Sequence, residues 1–111
     1  MNKTSKPVPF MNENTFEALV KGYASVHHMV IFTDHAEDQM KDRDVTRRMV
    51  LRVLEKGSLV ERPEWNADYA NWEGKMQGIA AGSMVSVVCA IVDGKINAFC
   101  RSRWPILTDF T

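Results

Sequence analysis

No run of apolar residues in this 111-residue chain is long enough to cross a bilayer. Its start, MNKTSKPVPF, lacks the hydrophobic centre of a secretion signal, so the expected location is the cytoplasm. Cysteine is scarce: Cys89 and Cys100 both fall in apolar stretches, and neither has a metal-like spacing. Buried reduced thiols are therefore expected rather than a disulfide framework. An excess of charge is missing too, since fourteen basic and fourteen acidic residues cancel. That balance argues against a strong sequence-independent grip on nucleic acid, though it leaves room for a local basic patch. Nothing repeats internally, and no stretch is low in complexity. The remaining composition, 45% hydrophobic and 25% charged, suits one globular domain with a single modest core.

What is present is organised around Thr33–Gly57, TDHAEDQMKDRDVTRRMVLRVLEKG. Asp34 with Glu37 three residues on is a helix-start signature, in which side-chain oxygens satisfy unpaired backbone N–H groups. Acids crowd the front of the segment (Asp34, Glu37, Asp38), while Lys41 and Arg43 close it, an order that suits the helix dipole. Asp44 and Val45 form a corner, Thr46 caps a second helix, and Gly57 is expected to supply a left-handed stop. Met49, Val50, Val53 and Leu54 recur at helical spacing, with Arg48, Arg52 and Glu55 on the opposite face.

Around this pair the chain divides into an extended arm over residues 1–13 and a single domain over residues 14–111. Asn14 with Glu17 is a second capping-box candidate, and Phe16, Leu19, Val20 and Tyr23 form one apolar stripe. The spacing predicts a helix from about Thr15 to Ala24, weakened near its end by Gly22. His28–Phe32 reads as an edge strand or an extended lead-in. Ser58–Arg62 reads as a short strand halted by Pro63, and Glu64–Tyr69 as a polar turn. Ala70–Ile79, Ser83–Val92 and Lys95–Arg103 are three consecutive strands. Trp72, Gly74, Met76 and Gly78 share one side of the first, and Asp93-Gly94 is a strong hairpin signal. The expected fold class is α+β, with helices packed on a three- to four-stranded antiparallel meander.

His35, Ala36, Met40 and Arg43, in the pattern H-A-x-x-x-M-x-x-R, are followed by a Thr-started helix ending in L-x-x-G. This pattern resembles a widespread bacterial domain family, itself similar in fold to the RelE/ParE and BrnT toxins. The resemblance covers about Phe32 to Trp104. The family usually carries an arginine where this chain has Gln39, and a glycine at the corner where it has Asp44. The resemblance implies a ribonuclease toxin held inactive by an antitoxin, with its chemistry on the open face of the sheet and the last strands. Arg101 and Arg103 are the positions to compare with the toxin arginines.

Cleaving RNA through its own 2′-hydroxyl needs a base, a cation for the phosphorane charge, and an acid for the leaving oxygen. His35 suits the acid–base role because imidazole titrates near neutrality; its structural alternative is to fix the helix start. Arg43, Arg101 and Arg103 suit phosphate because their planar forks match its oxygens. Arg43 could instead pin the corner through Asp44 or backbone carbonyls. Arg101 and Arg103 alternate with Ser102, so strict alternation predicts that both project from one face, near Lys75 or Arg62. They could equally guard an edge strand against aggregation. Trp65, Tyr69 and Trp72 could stack bases or pack at the rim of the core. His27 and His28 are adjacent in an extended run and would point apart, so spacing makes them no metal site. No cofactor motif is present.

The leading expectation is therefore a metal-independent endoribonuclease of toxin–antitoxin type. His35, Arg43, Arg101 and Arg103 would carry the chemistry, and Lys75, Trp72 and Arg62 would bind RNA. The rival is a non-catalytic protein-interaction module on the same fold, favoured by zero net charge and by Gln39. A DNA-binding regulator ranks last, because acids balance the basic surface of Arg47, Arg48 and Arg52.

Overall fold

A computed structural model describes residues 12–105, with the side chain of Pro105 left aside. Of the expected arm, residues 1–11 lie outside the described residues. Asn12 and Glu13 belong to the first helix, α1 (Glu13–Ala24), whose start is set by Asn12 Oδ1 accepting from Thr15 N at 2.7 Å. The expected Asn14 cap is displaced by this earlier one. Glu17 is instead turned outward, to Lys21 at 3.0 Å and to the backbone N–H of Leu59 at 3.2 Å.

A short 3-10 turn (His27–Met29) leads into β1 (Val30–Ile31), then α2 (Asp34–Asp42) and α3 (Arg47–Lys56). The remaining elements are β2 (Ser58–Leu59), β3 (Glu64–Asn66), β4 (Asn71–Ala80), β5 (Ser83–Val92) and β6 (Lys95–Pro105). Thr33 caps α2 by accepting from Ala36 N, and Thr46 caps α3 by accepting from Met49 N, both at 3.1 Å. The Asp34–Glu37 box does not form, because Glu37 pairs with Arg47 across the corner. The left-handed residue is not Gly57, whose φ of −80° is ordinary, but Asp44 at the corner, with φ 56°. That conformation is why a glycine would suit this position. Gly57 is needed for closeness instead: a Cβ there would meet the carbonyl oxygens of Gln77 and Val53 at 2.5 Å.

The strands form one six-stranded mixed sheet, ordered β1-β6-β5-β4-β2, with β3 also on β4. This corrects the antiparallel meander of three to four strands. β1 pairs parallel to β6 through Val30↔Ile96, and Glu64–Asn66, expected as a turn, pairs with β4. β1 and β2 occupy opposite edges, so the intervening helix pair must cross the sheet, and in crossing it covers one face. Phe16, Val20, Met40, Met49, Val50, Val53 and Leu54 bury against Met76, Val85, Val87, Cys89, Ile96, Ala98 and Cys100 there. Among the described residues, the other face carries no helix. Both thiols are free and buried; burial pushes Cys89 up to about 12 and Cys100 in the same direction. No helix among the described residues is long and apolar enough to cross a membrane.

Two tight hairpins close the meander, Ala81-Gly82 (φ 51° and 76°) and Asp93-Gly94 (φ 51° and 74°). The left-handed pairs match the twist of the flanking strands. Between β5 and β6 the register slips by one: Ser86 faces Ser102, but Val87 faces Cys100. Arg101 is the extra residue, and that bulge decides where the last two arginines go.

Candidate functional site

Strict alternation would place Arg101 and Arg103 side by side. The bulge separates them. Val85 and Ser83 are buried, and Arg103 sits opposite Val85, on the helix-covered face. Its guanidinium donates to Ser83 Oγ at 2.9 Å and to the carbonyls of Arg43 and Asp44, with the Asp44 carboxylate 3.7 Å away. Arg103 thus ties the end of β6 to the left-handed corner between α2 and α3. Arg43 is engaged there as well, donating to Gln39 O at 3.2 Å. These two arginines neighbour each other, but their donors are engaged by backbone carbonyls and, for Arg103, by Ser83 and Asp44 as well.

Arg101 goes the other way. It is exposed on the open face, where an open cleft of about 210 Å³ is lined by Glu61, Arg62, Glu64, Glu73, Lys75 and Arg101. Three of the residues singled out from the sequence, Arg62, Lys75 and Arg101, therefore meet here. Lys75 is held by Glu61 at 2.9 Å. Arg62 and Arg101 make no ion pair or side-chain hydrogen bond among the described residues, so their forks are available. The alternation of β4 supplies the rest: Trp72, Gly74 and Met76 face the helices, while Glu73 and Lys75 face the cleft. Glu73 is steadied by Asn66 Nδ2 at 3.1 Å. Three cations and three carboxylates in one hollow cancel formally, so the cleft offers local geometry rather than a long-range field.

His35 is not part of this cleft. It is exposed on α2, in the helix layer, with the sheet between it and Arg101. Trp72 is also elsewhere than expected. It is buried on the covered face, edge-on to Trp65 at 5.6 Å, because its parity along β4 is that of Met76. Tyr69 is the aromatic residue of that cluster left in solvent, at 74% exposed. His27 lies on the surface and pairs with Glu55 at 3.1 Å.

The carboxylates Glu61, Glu64 and Glu73 were missed as site residues. The signal available was the polar alternation Asn71, Glu73, Lys75, Gln77 between the apolar positions of β4. The bulge had no such signal.

Residues 32–98, more than half of the chain, match a family described as a domain of unknown function, DUF4258. Neither the curated proteins nor the solved structures yielded a match.

Proposed function

We propose that this chain, which belongs to the DUF4258 family, is a toxin-like endoribonuclease whose reaction takes place in the open-face cleft. The observation that carries the reading is the meeting of two guanidiniums without an ion pair among the described residues, Arg62 and Arg101, with Lys75 and with carboxylates in one open hollow. A phosphodiester fits such a set. Arg101 and Arg62 would grip its non-bridging oxygens and stabilise the phosphorane charge. Glu73, oriented by Asn66, would take the 2′-hydroxyl proton as that oxygen attacks phosphorus. The bond to the 5′-oxygen breaks, and the Lys75 ammonium returns a proton to it. The products are a 2′,3′-cyclic phosphate and a 5′-hydroxyl end. The protein itself supplies every cation in this scheme, so it runs without a metal. His35, exposed on the other side of the sheet, has no part in it.

The direct test is purified protein with RNA, reading the chemistry of the new ends. Cyclic phosphate termini, lost in Arg101→Ala and Glu73→Gln, are expected. RNA left intact, together with no growth arrest on expression, would sink the proposal.

One observation favours the second reading, a non-catalytic interaction module. Ile79, Met84 and Trp104 stand in one cross-strand row on the open face, with Ile79 57% and Trp104 43% exposed. Such a row suits a protein partner. Under the toxin reading, that partner is an antitoxin that shields the same face. A pull-down recovering one stoichiometric protein from cells whose RNA stays uncut would favour the module.

A further inference from the structure

Two ladders of opposite charge stand in the helix layer. Asp34, Asp38 and Asp42 recur at every fourth residue of α2, on the side opposite its buried Ala36 and Met40. Arg48, Arg52 and Lys56 recur in the same way on α3, whose buried stripe is Met49, Val50, Val53 and Leu54. All six are exposed, and none makes an ion pair or side-chain hydrogen bond among the described residues. Both ladders advance ~6 Å per step, the rise of four helical residues.

The balance of charge that holds over the whole chain does not hold here. Glu37 is taken by Arg47 and Glu55 by His27, so neither carboxylate serves the α3 ladder. On α2, exposed Lys41 offsets part of the acid charge but pairs with none of the three aspartates among the described residues. Like charges four residues apart on a helix repel, so each ladder weakens its own helix until opposite charge approaches. Within one chain the ladders do not meet; among the described residues, Glu37–Arg47 is the ion pair that joins α2 to α3. An open hollow of about 380 Å³ beside α3, lined by Arg48, Arg52 and Lys56 with Leu51, His27 and Glu55, leaves room there for incoming carboxylates.

We propose that this surface binds a second copy of the chain, α2 of each protomer lying along α3 of the other. An acidic peptide would match the basic half alone, and a nucleic acid would be repelled by α2. A second copy satisfies both halves at the same spacing. Because α2 ends and α3 begins at the Asp44 corner, a two-fold axis through that corner runs them antiparallel. Asp34, Asp38 and Asp42 then meet the second copy's Lys56, Arg52 and Arg48 in that order, and the symmetry makes the two contacts identical. Zero net charge adds no overall repulsion between copies. Exposed ion pairs are individually weak, so the dimer is reversible and sensitive to salt. Each open face lies on the far side of its sheet, so the Arg101 cleft of both copies stays open. The inference therefore stands apart from the nuclease reading.

The test is sedimentation of the full chain across a concentration series. A monomer–dimer equilibrium is expected at low salt, dissociating in about 1 M salt, where screening reaches ~3 Å. Asp38→Lys with Asp42→Lys should weaken dimerisation about 10-fold or more, because the two-fold axis counts each substitution twice. Arg48→Glu with Arg52→Glu should do the same. Both pairs of changes suit the helix dipoles, placing cations late in α2 and acids early in α3, and circular dichroism checks the fold. All four changes in one chain exchange the signs and keep the net charge at zero, so the homodimer should return. Should a variant not fold, Asp38→Asn, Arg52→Gln and the salt series decide, each neutralised ladder giving a weaker dimer. A monomer at every concentration in low salt would overturn the proposal. So would a dimer that withstands 1 M salt or either reversal, or a folded four-substitution chain that stays monomeric. RNA cleavage may persist or fail in any of these outcomes without bearing on the result.

Discussion

Arg101 and Arg103 sit two residues apart on one strand, yet they belong to different faces of the sheet and do different work. The covered face is dry, and the Arg103 guanidinium there is consumed by Ser83, by two backbone carbonyls and by Asp44. The open face is exposed, and Arg101 lies there among carboxylates and other cations without an ion pair among the described residues. A side chain whose donors are already matched holds the fold together. One whose donors are unmatched in water is free to meet a ligand. Burial and hydrogen-bond accounting, rather than residue type, separate scaffold from site here.

That contrast can be broken experimentally, and the largest effect should come from its dry side. Phe16 is fully buried against Gly74. Phe16→Ala should therefore cost ~3–5 kcal/mol in urea unfolding, whereas Val88→Ala on the open face should cost far less. Similar losses from the two would mean that the open face is no less structural than the covered one. Next in size is Arg101→Ala, expected to lower RNA cleavage about 10²–10³-fold while leaving the melting temperature where it was. Arg103→Ala should do the reverse. It should cost about 1–3 kcal/mol of stability and speed hydrogen exchange at the Asp44 corner, because the carbonyls it serves lose their donor.

Gly22→Ala is a smaller change and of opposite sign. A Cβ there meets nothing within 4 Å, so α1 should gain ~0.5–1 kcal/mol in thermal melts. The smallest effect is a pH dependence. The Lys21 ammonium, and after it the Leu59 N–H, hold the Glu17 carboxyl below the usual glutamate range. A depressed carboxyl stabilises the fold above that range, and the contribution fades as acid protonates it. The pair is partly exposed, so acid titration of wild type against Glu17→Gln should differ by under about 1 kcal/mol.

Much of the scaffold was legible along the chain. Met49, Val50, Val53 and Leu54 recur at helical spacing, and all four are buried. Asp93-Gly94 sits between two apolar runs, and it forms the hairpin. These signals are local, because periodicity and turn chemistry depend on neighbours in sequence. The parallel pairing of Val30–Ile31 with Ile96–Asn97 was not legible. Two residues carry no periodicity, and their partner lies more than sixty positions away. The site was half visible. Arg62, Lys75 and Arg101, which line the cleft, were singled out by residue type, whereas Glu73 needed the parity of β4 to be read on its polar side.

By itself, then, the order of amino acids settled what short-range physics can settle: where helices start, which stripe is apolar, where the chain reverses, and that cations end the last strand. Only the assembled sheet decided which of those cations faces the open cleft and which is tied to the corner. One extra residue opposite Ser86 reverses the alternation between Arg101 and Arg103. A bulge is a property of two paired strands, so neither strand alone contains it.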